Sequence, residues 1–129
     1  MAGETVLVVD DNEANLKLVQ VVLAAEGYDV RAVADGESVL PDVEAVRPGV
    51  ILMDVQLPGI DGLELTRRLK ADPETADIPV IALTAYAMVG DEQKAIDAGC
   101  DGYVAKPIDT RALPEVVAGM LDGAGRDQH

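Results

Sequence analysis

Phenylalanine and tryptophan are absent from these 129 residues, and tyrosine occurs three times. A core must therefore be assembled from Val, Leu, Ile, Ala and Met, and the placement of each tyrosine asks for a reason. Tyr28, in a turn after Gly27, is expected at the surface or the core edge. Cysteine is nearly absent too. Cys100 alone excludes an internal disulfide, and its neighbours Ala98, Gly99 and Asp101 offer no metal-ligand spacing, which leaves a small buried packing residue. The one histidine is His129, so no histidine within the fold can serve as a general base. Cations are scarce: ten Lys plus Arg face 24 Asp plus Glu, a net charge of −14. A field of that sign repels phosphate backbones and anionic lipid, so neither direct nucleic-acid binding nor membrane association is expected. Long apolar runs are missing as well. Runs such as residues 50–53 fall far short of the ~20 needed to span a bilayer, and no basic segment leads into an apolar one as in a secretory signal. A cytoplasmic protein is expected.

What is present is the composition of a folded domain, 49% hydrophobic and 26% charged. The length fits one domain, 1–129, with a core over 4–122 and a flexible tail over 123–129, where Ala124 is the only apolar side chain apart from glycine. Short apolar runs rich in β-branched residues, at 5–9, 30–34, 50–53, 79–83 and 102–105, alternate with amphipathic stretches at 13–26, 37–46, 63–70, 91–98 and 114–121. This is a strand-helix unit repeated five times. The strand runs are apolar throughout, so both sheet faces are expected to be covered by helices, the mark of an α/β parallel sheet.

Local punctuation supports the boundaries. Asp61 and Glu64 have the spacing of a capping box, and Arg67, Arg68 and Lys70 close that helix where its dipole favours cations. Gly99 ends the fourth helix. In the first helix, Ala14, Leu18, Val21 and Ala25 share one face with Leu16, Val19 and Leu23 beside it, so the helix is expected to be long and well buried. Pro41 makes the second helix start late or bend, and Pro114 reads as the first residue of the last.

The polar residues at the strand ends carry the chemistry. Asp10 and Asp11 follow the first run, Asp54 the third, Thr84 the fourth and Lys106 the fifth. In a parallel sheet these carboxyl ends share one rim, where doubly wound folds place their sites. Read singly, Asp10 and Asp11 are helix-capping acids, Asp54 a loop carboxylate, Thr84 a strand-end hydroxyl and Lys106 a surface lysine. Read together, three mutually repelling acids with one lysine call for a hard divalent cation. A few carboxylates with retained waters suit Mg²⁺. A carboxylate so neutralised, beside a hydroxyl and an ammonium, is suited to receive a phosphoryl group. Asp54, alone at the end of the central strand, is the candidate nucleophile, with Thr84 and Lys106 stabilising the phosphoryl oxygens.

These residues resemble a known family. Asp10-Asp11, the run from Leu52-Met53-Asp54 to Asp61-Gly62, Leu83-Thr84-Ala85 and Lys106-Pro107-Ile108 together resemble the receiver (CheY-like) domain of two-component response regulators over residues 4–122. The segments around Thr84-Ala85-Tyr86 and Gly99-Cys100-Asp101-Gly102-Tyr103 look most like DivK-type single-domain regulators and the receivers of hybrid histidine kinases. The resemblance implies a flavodoxin-like sheet of order 2-1-3-4-5. It implies phosphorylation of Asp54 by a histidine kinase or histidine phosphotransfer protein, with Asp11, Asp54 and the Gln56 carbonyl on Mg²⁺ and Asp10 acting through water. It further implies phosphoryl contacts from Thr84, Lys106 and the Ala85 amide, a cis Lys106-Pro107 peptide, and Tyr103 as a switch aromatic moving with Thr84. The output would be a changed surface on the fourth helix, fifth strand and fifth helix that controls a downstream protein, by a monomer or a weak phosphorylation-dependent dimer. Gln56 and Tyr86 hold positions that tune acyl-phosphate lifetime, and Tyr86 is expected to shield the phosphate. The kinase-facing surface is expected to include Ala14, Asn15, Leu18, Pro107 and Ile108.

Such a chain turns over no metabolite and is not an enzyme in that sense. A Mg²⁺-dependent aspartyl-phosphate hydrolase is the competing class, but haloacid-dehalogenase-type enzymes carry a second Asp where Gln56 stands. A phosphorelay intermediate and a receiver excised from a hybrid kinase share every residue named above, though Met1 and the trailing end at His129 favour a complete single-domain protein.

Overall fold

The computed structural model describes residues 4–55, 57, 61–84, 91–105 and 108–126, with the backbone alone at 91–92 and 122–126. Five strands, β1 (Thr5–Val9), β2 (Asp29–Val33), β3 (Val50–Asp54), β4 (Val80–Thr84) and β5 (Gly102–Ala105), alternate with five helices, α1 (Glu13–Ala24), α2 (Val39–Val46), α3 (Gly62–Ala71), α4 (Asp91–Ala98) and α5 (Ala112–Arg126). All strand pairs are parallel and the order is β2-β1-β3-β4-β5, as expected.

Alternation along the inner strands sends side chains into two cores. Val6, Val8, Val50, Leu52, Ile81 and Leu83 meet α1 and α5 through Leu16, Val19, Leu23, Leu113 and Val117. On the other face, Leu7, Val9, Ile51, Met53 and Val80 meet α2 and α3 through Val39, Val43, Leu65 and Leu69, with α4 alongside α3. Every residue of β3 and β4 is buried, whereas the edge strands β2 and β5 are half open. Tyr28 sits in the first core. Cys100 is half-buried against the second, more exposed than a pure packing residue. Its burial pushes the thiol pKa above the ordinary value, partly offset by the Thr66 hydroxyl beside it.

Two turns need glycine. At Gly27 (φ 93°) and Gly99 (φ 105°) the chain leaves α1 and α4 in the left-handed region. In each, paired main-chain bonds satisfy the last carbonyls: Gly27 N to Ala24 O and Tyr28 N to Leu23 O in one, Gly99 N to Ile96 O and Cys100 N to Ala95 O in the other.

Some of these expectations hold and others need correction. In α1 the buried residues are Leu16, Val19 and Leu23, whereas Ala14, Leu18, Val21 and Ala25 face outward, Val21 at 64% exposure. The helix carries two apolar stripes at helical spacing, and the sheet packs on only one. The second helix starts late: a 3₁₀ turn, Gly36–Ser38, capped by Asp35, precedes α2 and leaves Pro41 in its first turn, where a missing N–H loses no helical bond. α5 begins before Pro114, because the Asp109 carboxylate accepts from Arg111 N and Ala112 N. It then runs to Arg126, since each added residue gains a bond without a new nucleus. Asp61 caps α3 through Leu63 N, while Glu64 pairs with Arg67 and Arg68 instead of closing the capping box. Among the described residues, no helix is long and apolar enough to cross a membrane.

Candidate functional site

The register of the sheet assembles the rim. Val9 lies opposite Met53, so one step on, Asp10 comes level with Asp54, the last residue of β3. Asp54 pairs with Leu83, which brings Thr84, the last residue of β4, to the same rim. Main-chain bonds continue past the strands, from Asp10 N to Val33 O (3.1 Å) and from Val55 N to Leu83 O (3.1 Å), so the polar side chains stand on ordered backbone.

Three carboxylates converge there. One oxygen each from Asp10, Asp11 and Asp54 lies within 4.8 Å of the others. Asp10 is fully buried and Asp54 nearly so, while Asp11 faces solvent. Asp10 Oδ1 accepts from Asn12 N (2.9 Å) and Asp10 Oδ2 from Asn15 Nδ2 (3.3 Å). The N-cap of α1 is Asn12, whose side chain accepts from Asn15 N, so neither acid is taken up as the helix cap. Thr84 is buried, and its hydroxyl has no hydrogen-bond partner among the described residues. A buried polar group left so is costly unless a ligand meets it.

Gly62 holds the floor of this rim. A Cβ there would overlap the Asp54 carbonyl oxygen, so only glycine lets α3 start against the Asp54-Val55 main chain. The buried Thr66 hydroxyl donates to the Gly62 carbonyl (2.9 Å) and holds that first turn. Sequence reading placed Gly62 in the motif without this role; its adjacency to the capping Asp61 was the available signal. It also named Asn15 only as a surface residue, and missed its bond to Asp10.

Other expectations fall elsewhere. Tyr103 lies on β5, 39% exposed, in a groove of ≈ 360 Å³ shared with Ile96, Val116 and Met120, apart from the carboxylates. Ala14 and Leu18 are exposed near the rim and Asn15 is half-exposed, as a docking surface requires. Ile108 is buried in the first core and cannot contribute to that surface, because it packs among the apolar residues of α1 and α5. Gln56, Ala85, Tyr86, Lys106 and Pro107 lie outside the described residues.

Comparison with known proteins agrees with this geometry. The family model of the response regulator receiver domain matches residues 6–118. The polar-differentiation response regulator DivK of Brucella anthropi is 42% identical over 94% of this chain and 98% of its own length. The receiver domain of the sensor histidine kinase PA1611 from Pseudomonas aeruginosa, solved with a magnesium ion coordinated in its active-site cleft, is 36% identical with a TM-score of 0.86, covering 94% and 99% of the two chains. A putative response regulator from Chloroflexus aurantiacus is 34% identical with a TM-score of 0.89, covering 93% and 98%.

Proposed function

The chain belongs to the response regulator receiver family, and from that premise we propose that Asp54 is its phosphoacceptor, charged by a phosphohistidine on a partner protein with Mg²⁺ at the rim. The observation that carries this reading is the meeting of the Asp10, Asp11 and Asp54 oxygens at the rim that also holds the Thr84 hydroxyl, which has no partner among the described residues. That donor set fits a hard cation. Oxygen ligands of which one is exposed leave room for retained waters, as Mg²⁺ demands. The magnesium in the Pseudomonas receiver supports the assignment.

An Asp54 carboxylate oxygen attacks phosphorus while the P–N bond breaks and its electron pair leaves with the imidazole. The product is an acyl phosphate on Asp54 and a histidine restored on the partner. Bound Mg²⁺ supplies positive charge against the carboxylates and the transferring oxygens. The Thr84 hydroxyl, which has no partner among the described residues, donates to one phosphoryl oxygen. Lys106 supplies the further cation, and Gln56 and Tyr86 set how readily water reaches the phosphate. Asp10 would act on the metal through water.

The partner docks at the start of α1, where Ala14, Asn15 and Leu18 surround the approach to Asp54 and Val21 extends the apolar stripe. A helix presenting the phosphohistidine suits that surface. The output face comprises α4, β5 and α5, with half-exposed Tyr103 at its centre, and through it a downstream protein reads the phosphorylated state.

Intact mass after acetyl phosphate and Mg²⁺ tests the reading. Wild type gains one labile phosphoryl mass and Asp54→Asn gains none. Labelling that persists in Asp54→Asn moves the nucleophile elsewhere, and rapid multiple turnover of a small phosphoester identifies a hydrolase instead.

A further inference from the structure

We propose that Asn15 is a positioning residue for the carboxylate rim: its side-chain amide fixes the orientation of Asp10 and so raises the affinity for Mg²⁺. This rests on the reading of Asp10, Asp11 and Asp54 as a magnesium site. A closed ring of three hydrogen bonds carries it. Asn12 N donates to Asp10 Oδ1 (2.9 Å), Asn15 N donates to Asn12 Oδ1 (3.1 Å), and Asn15 Nδ2 donates to Asp10 Oδ2 (3.3 Å).

Helix capping explains the Asn15 N to Asn12 bond, and a tight Asx turn explains the Asn12 N to Asp10 bond. The Asn15 main chain satisfies the Asn12 cap, so the Asn15 side chain adds nothing to helix termination and is turned to the site instead. Each Asp10 oxygen therefore holds a neutral donor from the start of α1. The choice of donor matters. An amide dipole orients a carboxylate and adds no charge of its own to the rim. Asp10 is fully buried, out of reach of bulk water, so its orientation depends on protein groups. Partners standing behind metal-binding groups change affinity about 10–100-fold when removed.

Calorimetric titration of Mg²⁺ into the unphosphorylated protein tests this, with metal-free thermal melts alongside. Asn15→Ala and Asn15→Leu, both good helix formers, are expected to melt near wild type and to bind Mg²⁺ about tenfold more weakly. Leucine keeps the approximate shape of asparagine without the donor, and it gives the same comparison if the alanine variant fails to fold. Asn15→Asp separates orientation from charge. It loses the donor and is expected to bind more weakly than wild type despite the added acid. Unchanged affinity in the alanine and leucine variants, or tighter binding by Asn15→Asp, overturns the positioning role. Wild type that binds no Mg²⁺ overturns the magnesium reading itself, and the proposal with it.

Discussion

Two polar clusters stand at opposite ends of the strands, and they are built on opposite terms. At the amino-terminal end, Lys70 from the last turn of α3 donates to Ala76 O (3.2 Å), Ile78 O (2.9 Å) and Asp101 Oδ2 (2.9 Å). All three ammonium hydrogens have acceptors, and Asp101 Oδ2 also accepts from Val80 N (2.8 Å). Charge meets opposite charge, and the ends of α3, β4 and β5 are tied together. At the carboxyl-terminal rim, like charges gather within 4.8 Å and the Thr84 hydroxyl lacks a partner among the described residues. The first cluster is satisfied by the fold alone. In the second, the buried Thr84 hydroxyl is left for something brought to it, and that difference is what the proposed site rests on.

Substitutions at the two ends should separate stability from chemistry. The largest effect is expected at Gly62→Ala, where the new Cβ meets the Asp54 carbonyl and α3 must shift. Overpacking of this kind costs about 1–3 kcal/mol, read as a lower denaturation midpoint, and acetyl phosphate labelling slows because Asp54 moves. Lys70→Ala comes next. It removes charged hydrogen bonds at a site that water still reaches, so about 1–2 kcal/mol is lost by urea denaturation while labelling of Asp54 stays within about twofold of wild type. A labelling defect there as large as that of Gly62→Ala would erase the division between the two clusters. The smallest effect has the opposite sign. Asp11→Asn relieves like-charge repulsion, so its metal-free melting temperature rises by about 1–2 °C while the stabilisation by Mg²⁺ disappears.

The strands and their rim were legible in the sequence because burial on both faces leaves uninterrupted apolar runs, and each run ends abruptly in a polar residue. Asp54 and Thr84 prove to be the last strand residues rather than the first after them, a shift of one residue that a continued main-chain ladder explains. The buried face of α1 was not legible. Ala14, Leu18, Val21 and Ala25 keep helical spacing as well as Leu16, Val19 and Leu23 do, and only the position of the helix on the sheet decides between them. The outward stripe is the one proposed above for docking. Pro114 misled for a related reason: a proline is tolerated throughout the first helical turn, so it bounds the start of α5 without fixing it. The roles of Gly62 and Asn15 depend on contacts across 8 and 5 residues, between elements whose approach no local pattern encodes.

Chemical trapping of the phosphorylated residue tests the central claim most directly. Borohydride reduces an aspartyl phosphate to homoserine and releases phosphate, so the acceptor keeps a permanent mark. After acetyl phosphate, Mg²⁺ and borohydride, peptide mass mapping is expected to find homoserine at position 54 alone. Homoserine in place of Asp10 or Asp11, with Asp54 intact, would contradict the assignment.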